Sequence, residues 1–302
     1  MKVIFIICLF ILGSSNVQIA QAQMKSKKKK DSILERLSQT PLSMTIDTIA
    51  ESARDNRERV AGATLYFYPT FNYKLTPQDN LGLLAEMRVK EVHDQPSTNK
   101  FKLLQFKYKR ELIKQDPEVA SMSAEIRPTL TVSAADRASL NRHGYLQSRV
   151  NFVRKVTERL TLSTTFRHYL YARKTGRKLF SSDKGTVYLW QLKNNPGAYS
   201  NVKPIKIVKK EWRFYANGAF NVTDRIGLGI LGIYINSRND YRETSSAWVL
   251  WPNASYQIDD IFSVTFGVEG TISEKAPGST MKLTRHLEDQ LLYSVTLSSA
   301  IF

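Results

Sequence analysis

The chain has 302 residues, with 44 Lys and Arg against 27 Asp and Glu, a formal net charge of +17. Its single cysteine, Cys8, rules out a disulfide framework or a cysteine metal site. Beyond the N-terminus no stretch approaches the ~18 consecutive apolar residues of a spanning helix. The length suits one large domain or two ordinary ones.

The first segment, "MKVIFIICLFILGSSNVQIAQAQ", carries one cation at Lys2, an apolar run from Val3 to Leu12 and a small-x-small end at Ala20, Gln21 and Ala22. This is the pattern of a secretory signal, so residues 1–22 are expected to be a signal peptide and the mature chain to start near Gln23. Residues 23–42 form a basic tail. Lys25 and Lys27 to Lys30 repel one another, and Asp31 to Leu37 has the pattern of about two helical turns with Ile33, Leu34 and Leu37 on one face. The simplest reading is a solvated tail; the alternatives are a plug or a contact with an acidic partner.

After residue 42 the periodicity is two. A weakly patterned strand over Met44–Ala53 comes first. From Ala61 to Leu75 the odd positions carry Leu65, Phe67, Pro69, Phe71 and Tyr73, while Thr64, Tyr66, Tyr68, Thr70 and Asn72 take the even ones. Globular strands average ~5 to 6 residues, whereas a tilted spanning strand needs ~9 to 11. Past "TPQDN" the alternation resumes, with Leu81, Leu83, Ala85, Met87 and Val89 opposite Glu86, Arg88 and Lys90. The same test succeeds over 120–132, 160–167, 212–222, 248–256 and 262–268, and a last strand is expected over Gln290–Phe302.

Short reversals fall near Thr76–Asn80, Lys114–Glu118, Thr157–Glu158, Thr223–Asp224 and Asp259–Asp260. Thr and Asp side chains there can bond nearby backbone and so favour turns. Longer polar linkers alternate with them, among them "AADRASLNRHG", about 30 residues from Lys174 to Pro204, and "EKAPGSTMKLTRHLED". The segment "GTVYLWQL" (185–192) either extends a strand or forms a hairpin within the longest loop. Two-faced strands of this length would aggregate as an open sheet, and closure removes their edges. The expected fold is therefore all-β: a transmembrane antiparallel up-and-down β-barrel over residues 43–302, with about twelve strands, ten to fourteen being compatible. Its short turns are expected on the periplasmic rim and its long loops on the extracellular one.

With its signal, alternating strands, loop asymmetry and terminal "LLYSVTLSSAIF", the chain resembles a Gram-negative outer-membrane β-barrel protein, porin-like and without a subfamily motif. The resemblance implies a bacterial outer-membrane location among outer-membrane lipids and lipopolysaccharide. It also implies that Phe302 forms part of the signal read by the barrel-assembly machinery. Tyr293, Val295, Leu297 and Ile301 run in the phase opposite to Phe302.

The polar phase is expected to line the lumen. It carries Arg88, Lys90, Lys107, Lys109, Arg127, Arg149, Arg167, Arg173, Lys209 and Arg213 against Glu86, Glu111, Glu125, Glu211 and Glu269. Such a lining would focus anions, and the functional expectation is a passive pore favouring small anionic solutes. Tyr66, Tyr68, Tyr169, Tyr171 and Tyr215 share that phase and would help to fill a plugged lumen. The alternative is therefore a non-conducting surface barrel for adhesion or for binding lipopolysaccharide or another anionic partner through Lys174, Arg177, Lys178, Lys184, Lys193 and Lys203. For a lipid-face hydrolase, His168 would need a serine such as Ser148 or Ser163 within reach. No catalytic motif, metal-ligand spacing or cofactor loop is recognised, and no nucleic-acid recognition motif accompanies the basic charge. The chain is read as a non-enzyme without metal or cofactor.

Overall fold

The computed structural model describes residues 40–301 apart from short segments at 55–59, 93–94, 115–118, 134–136, 138–141, 174–178, 183–184, 196, 206, 277–278 and 285–290. The expected signal peptide, nearly all of the basic tail and Phe302 lie outside the described residues.

Long strands follow one another in antiparallel order: β1 (Leu42–Arg54), β2 (Val60–Lys74), β3 (Asp79–Val92), β4 (Gln95–Ile113), β5 (Ser121–Thr131), β6 (Arg142–Lys155) and β7 (Leu160–Arg173). The longest connection then holds β8 (Leu179–Ser182), β9 (Gly185–Tyr188), the short helix α1 (Leu189–Asn194) and β10 (Lys203–Pro204), with β8 pairing both β9 and β10 in a small separate sheet. The segment 185–192 thus completes a loop hairpin and then turns helical. Four more long strands follow, β11 (Val208–Asn221), β12 (Ile226–Asn239), β13 (Thr244–Gln257) and β14 (Phe262–Lys275), then the two-residue β15 (Lys282–Leu283) and finally β16 (Leu292–Ala300).

Closure is explicit in the register. β16 pairs β14 through Val264↔Leu297 and β1 through Asp47↔Ser298, so β1–β7, β11–β14 and β16 form a ring of twelve strands. The weakly patterned first strand is a full member, paired along its length with β2 and β16.

The barrel is inside-out relative to a soluble domain. Leu130 is 56% exposed and Phe266 54%, whereas Gln147 and Thr129 are each 2% exposed on the inner face. The apolar phase thus faces outward and the polar phase inward, as a lipid-facing band requires. In β16, Tyr293, Val295 and Leu297 lie on the outward phase, continuous with Val264 and Phe266 of β14.

Four reversals share one construction. Thr157 Oγ1 accepts from the N–H of Leu160 at 2.9 Å and of Arg159 at 3.3 Å. Thr223 Oγ1 does the same for Ile226 at 3.0 Å and Arg225 at 3.2 Å, as does Thr76 Oγ1 for Asp79 at 3.0 Å and Gln78 at 3.2 Å. Asp259 Oδ1 accepts from Phe262 at 2.7 Å and Ile261 at 2.8 Å. In each, the residue before the Thr or Asp donates its N–H back across the turn, as from Val156 to Leu160 O at 2.8 Å. One side-chain oxygen satisfies two amides that the reversal would otherwise leave bare, which is why the motif recurs in the sequence.

Candidate functional site

Cross-strand pairing carries one row of inward side chains around half the ring. Lys109 of β4 pairs Glu125 of β5, which pairs Arg149 of β6, then Arg167 of β7, then Arg213 of β11. Three arginines on adjacent strands repel one another, and each is held by different neighbours. Glu125, 8% exposed, takes Arg127 at 2.5 Å and lies 4.0 Å from Arg149, whose Nε also donates to Gln147 at 2.7 Å. Arg213 Nε donates to Glu211 at 2.6 Å, and its guanidinium lies 5.1 Å from the Tyr169 ring centroid. Arg167 has no carboxylate partner among the described residues. Its guanidinium stacks 3.8 Å over Tyr215 and donates to that hydroxyl at 3.1 Å, leaving Nε without a partner.

This half of the wall is tightly knit. Arg127 reaches Gln105 at 3.1 Å, Gln105 donates to Thr129 at 2.9 Å, and Asn151 bridges Ser123, Glu125 and Thr165. Tyr145, Tyr169 and Tyr171 pack together with ring centroids 5.7 to 6.1 Å apart. Lys107 donates to Asn72 at 2.5 Å, and Arg88 lies 6.0 Å from the Tyr66 ring centroid.

The next strands are different. Continuing from Arg213, the row meets Ile235 of β12 and Ala247 of β13, and beside it run the inward pairs Ile233↔Val249 and Leu231↔Trp251. This wall of the lumen is apolar, and glycines back it. A Cβ on Gly267 would fall 1.9 Å from Trp251 Nε1, and one on Gly229 would fall 2.5 Å from Asn253 Oδ1. Trp251 and Asn253 therefore lie flat against the wall because the neighbouring strands have no side chain there. The freed space is a cavity of about 530 Å³ bounded by Arg167, Tyr215, Leu231, Ile233, Trp251 and Glu269, among others.

Of the sequence-derived lumen cations, Arg88, Lys107, Lys109, Arg127, Arg149, Arg167 and Arg213 occupy the inward phase. Lys90 and Arg173 sit on β3 and β7, but their side chains lie outside the described residues. Lys209 departs from expectation: it falls at a β-bulge between Val208 and Lys210 on the long-loop rim, exposed and away from the row, because the bulge breaks the inward alternation. Ser163 is an inward residue, on the far side of the sheet from His168. His168 faces outward, stacked on Trp212 with centroids 3.7 Å apart, and its Nε2 has no hydrogen-bond partner although Ser148 pairs it across the strands.

The apolar wall runs against the alternation seen over 248–256: Trp248, Leu250 and Pro252 form the outward apolar phase of β13, and Val249 and Trp251 are apolar on the inward one as well. The signal was present: "IGLGILGIYIN" is apolar in both phases, and glycine recurs in β12 at Gly227, Gly229 and Gly232.

The twelve-strand ring has known counterparts. A crystal structure of the COG4313 outer membrane channel from Pseudomonas putida F1 superposes with a TM-score of 0.52 at 9% identity, covering 86% of this chain and 96% of that one. The KdgM porin gives a TM-score of 0.45 at 9% identity over 84% and 98% of the two chains, and the NanC porin 0.46 at 10% over 84% and 97%. The chain has the fold of an outer-membrane β-barrel. At these identities the likeness is one of architecture alone. No protein-family model matches the sequence, and no curated protein matches it.

Proposed function

We propose that this protein is a passive pore of the bacterial outer membrane whose lumen favours small anionic solutes. The observation that carries the reading is Arg167: a guanidinium in the middle of an arginine row, without a carboxylate partner among the described residues, on the wall of a 530 Å³ internal cavity. Arg127 and Arg213 are compensated by Glu125 and Glu211, so their fields are largely cancelled nearby. Arg167 keeps its net positive field, and a narrow low-dielectric passage focuses that field on a passing anion.

The test is single-channel recording of the refolded protein in a planar bilayer under a salt gradient. Stable steps with a reversal potential of anion-selective sign are expected, and Arg167→Gln should move that potential toward the unselective value. Silence from a barrel shown by heat-modifiable gel mobility to be folded would sink the pore.

One observation favours a second reading. Gln147 at 2%, Tyr169 at 7% and Tyr215 at 8% exposure mark a lumen heavily occupied by its own side chains. In that case the barrel is a non-conducting surface protein, and its chemistry lies in the basic connection between β7 and β11, which would meet lipopolysaccharide phosphates. Selective loss of lipopolysaccharide binding on neutralising Lys193 and Lys203 would support it.

A further inference from the structure

The cavity described above has a composition more specific than a general anion path. Its two charged groups sit at opposite ends: Arg167 on β7 and Glu269 on β14, with β11, β12 and β13 between. Arg167 has no carboxylate partner, and Glu269 makes no hydrogen bond or ion pair among the described residues. Between them the floor is apolar, formed by Leu231, Ile233 and the flat indole of Trp251. Two primary amides, Asn217 and Asn253, border that floor. Each amide both donates and accepts, which matches a peptide group.

We propose that this cavity is a subsite for short zwitterionic peptides with apolar side chains. The proposal rests on the pore reading and names a solute class for the same lumen. The C-terminal carboxylate is taken by Arg167 and the N-terminal ammonium by Glu269. The intervening peptide group is met by Asn217 and Asn253, and the side chains lie on Leu231, Ile233 and Trp251. A simple anion is held by Arg167 alone and leaves Glu269 unanswered.

Length follows from the strand spacing. The register leads from Arg167 through Arg213, Ile235 and Ala247 to Glu274, so Glu269 stands four strands across and five residues along, and steps of about 4.8 Å and about 3.3 Å put the two Cα atoms roughly 25 Å apart along the sheet. The inward reach of both side chains narrows the distance between charged heads to roughly half of that, which two or three residues at ~3.3–3.6 Å each can bridge. A free amino acid holds its two charges too close together to engage both ends. Gly267 is the residue that makes room, since any Cβ there displaces the Trp251 indole into the space the peptide needs.

The test uses the full-length refolded barrel, with chloride conductance established first. Alanyl-leucine, N-acetyl-alanyl-leucine and alanyl-leucinamide are added in turn, and current blockade is measured against concentration. Losing one charge-assisted contact should raise the half-blocking concentration about tenfold for either capped form. Glu269→Gln should remove the distinction between free and N-acetylated peptide, and Arg167→Gln that between free and amidated peptide. Equal blockade by all three peptides in the unmodified protein overturns this subsite while leaving the pore standing. A folded barrel without chloride conductance overturns the pore and the subsite together.

Discussion

Two walls of one barrel are built by opposite rules. From β4 to β11 the inner face is crowded and polar, with Glu125 and Gln147 buried among arginines, amides and tyrosines. Across β12 and β13 it is largely apolar and backed by glycines of β12 and β14, and the large Trp251 side chain lies down instead of standing up. Both walls carry the same outward band, because lipid makes the same demand on each. The difference lies in what a strand must do when it faces water and solute: a crowded wall supplies charge at fixed positions, and a thinned wall supplies space.

The crowded wall should be the more fragile when its one shared anion is removed. Glu125→Ala leaves Arg127 and Arg149 facing each other inside the ring without a carboxylate. With Arg127 and Arg149 side chains only 14% and 16% exposed, the loss is expected to be about 3 to 5 kcal/mol. A lowered urea midpoint for loss of heat-modifiable mobility would show it; an unchanged midpoint would mean that the row is held apart by the strands alone.

The thinned wall should instead resist added volume. Gly267→Ala drives a Cβ into the rigid indole of Trp251, with an overpacking cost of about 1 to 3 kcal/mol. The displaced ring should also lower single-channel conductance. Gly82→Ala on β3, at the border of the crowded wall, is the control, because its Cβ meets the flexible Cε end of Lys107 of β4 at 2.6 Å, which can move aside. Equal losses for the two substitutions would break the distinction between the walls.

The sequence announced the barrel more clearly than the lumen, for a physical reason. Lipid imposes one rule on every outward position, so Leu65, Phe67 and Phe71, or Phe262, Val264 and Phe266, repeat it legibly from strand to strand. The lumen obeys no uniform rule. Arg88, Arg127 and Arg167 can be assigned inward from phase, and Arg127 and Arg213 each find a carboxylate two residues back on their own strand, but what faces Arg167 depends on cross-strand register, which no single strand contains. That Arg167 instead meets Tyr215 follows only once β7 and β11 are brought together across a connection of more than thirty residues. Lys209 shows the same limit, since one bulge removes it from a series that its parity had suggested. The apolar wall was hidden because an inward apolar residue contradicts the rule that made the strands visible.

The smallest effects should fall where the two walls are alike, at the short-turn rim. Thr157 joins β6 to β7 on the crowded side, and Asp259 joins β13 to β14 on the thinned side, yet each accepts two backbone N–H groups through one side-chain oxygen. Thr157→Ala and Asp259→Ala remove the same pair of bonds from exposed turns whose amides can turn to water. Each should therefore cost about 1 kcal/mol, with similar urea shifts and no change in reversal potential. If Asp259→Ala proved several times costlier than Thr157→Ala, the turn would be supporting a wall that lacks internal cross-links of its own. The contrast between the walls would then extend from the lumen to the rim.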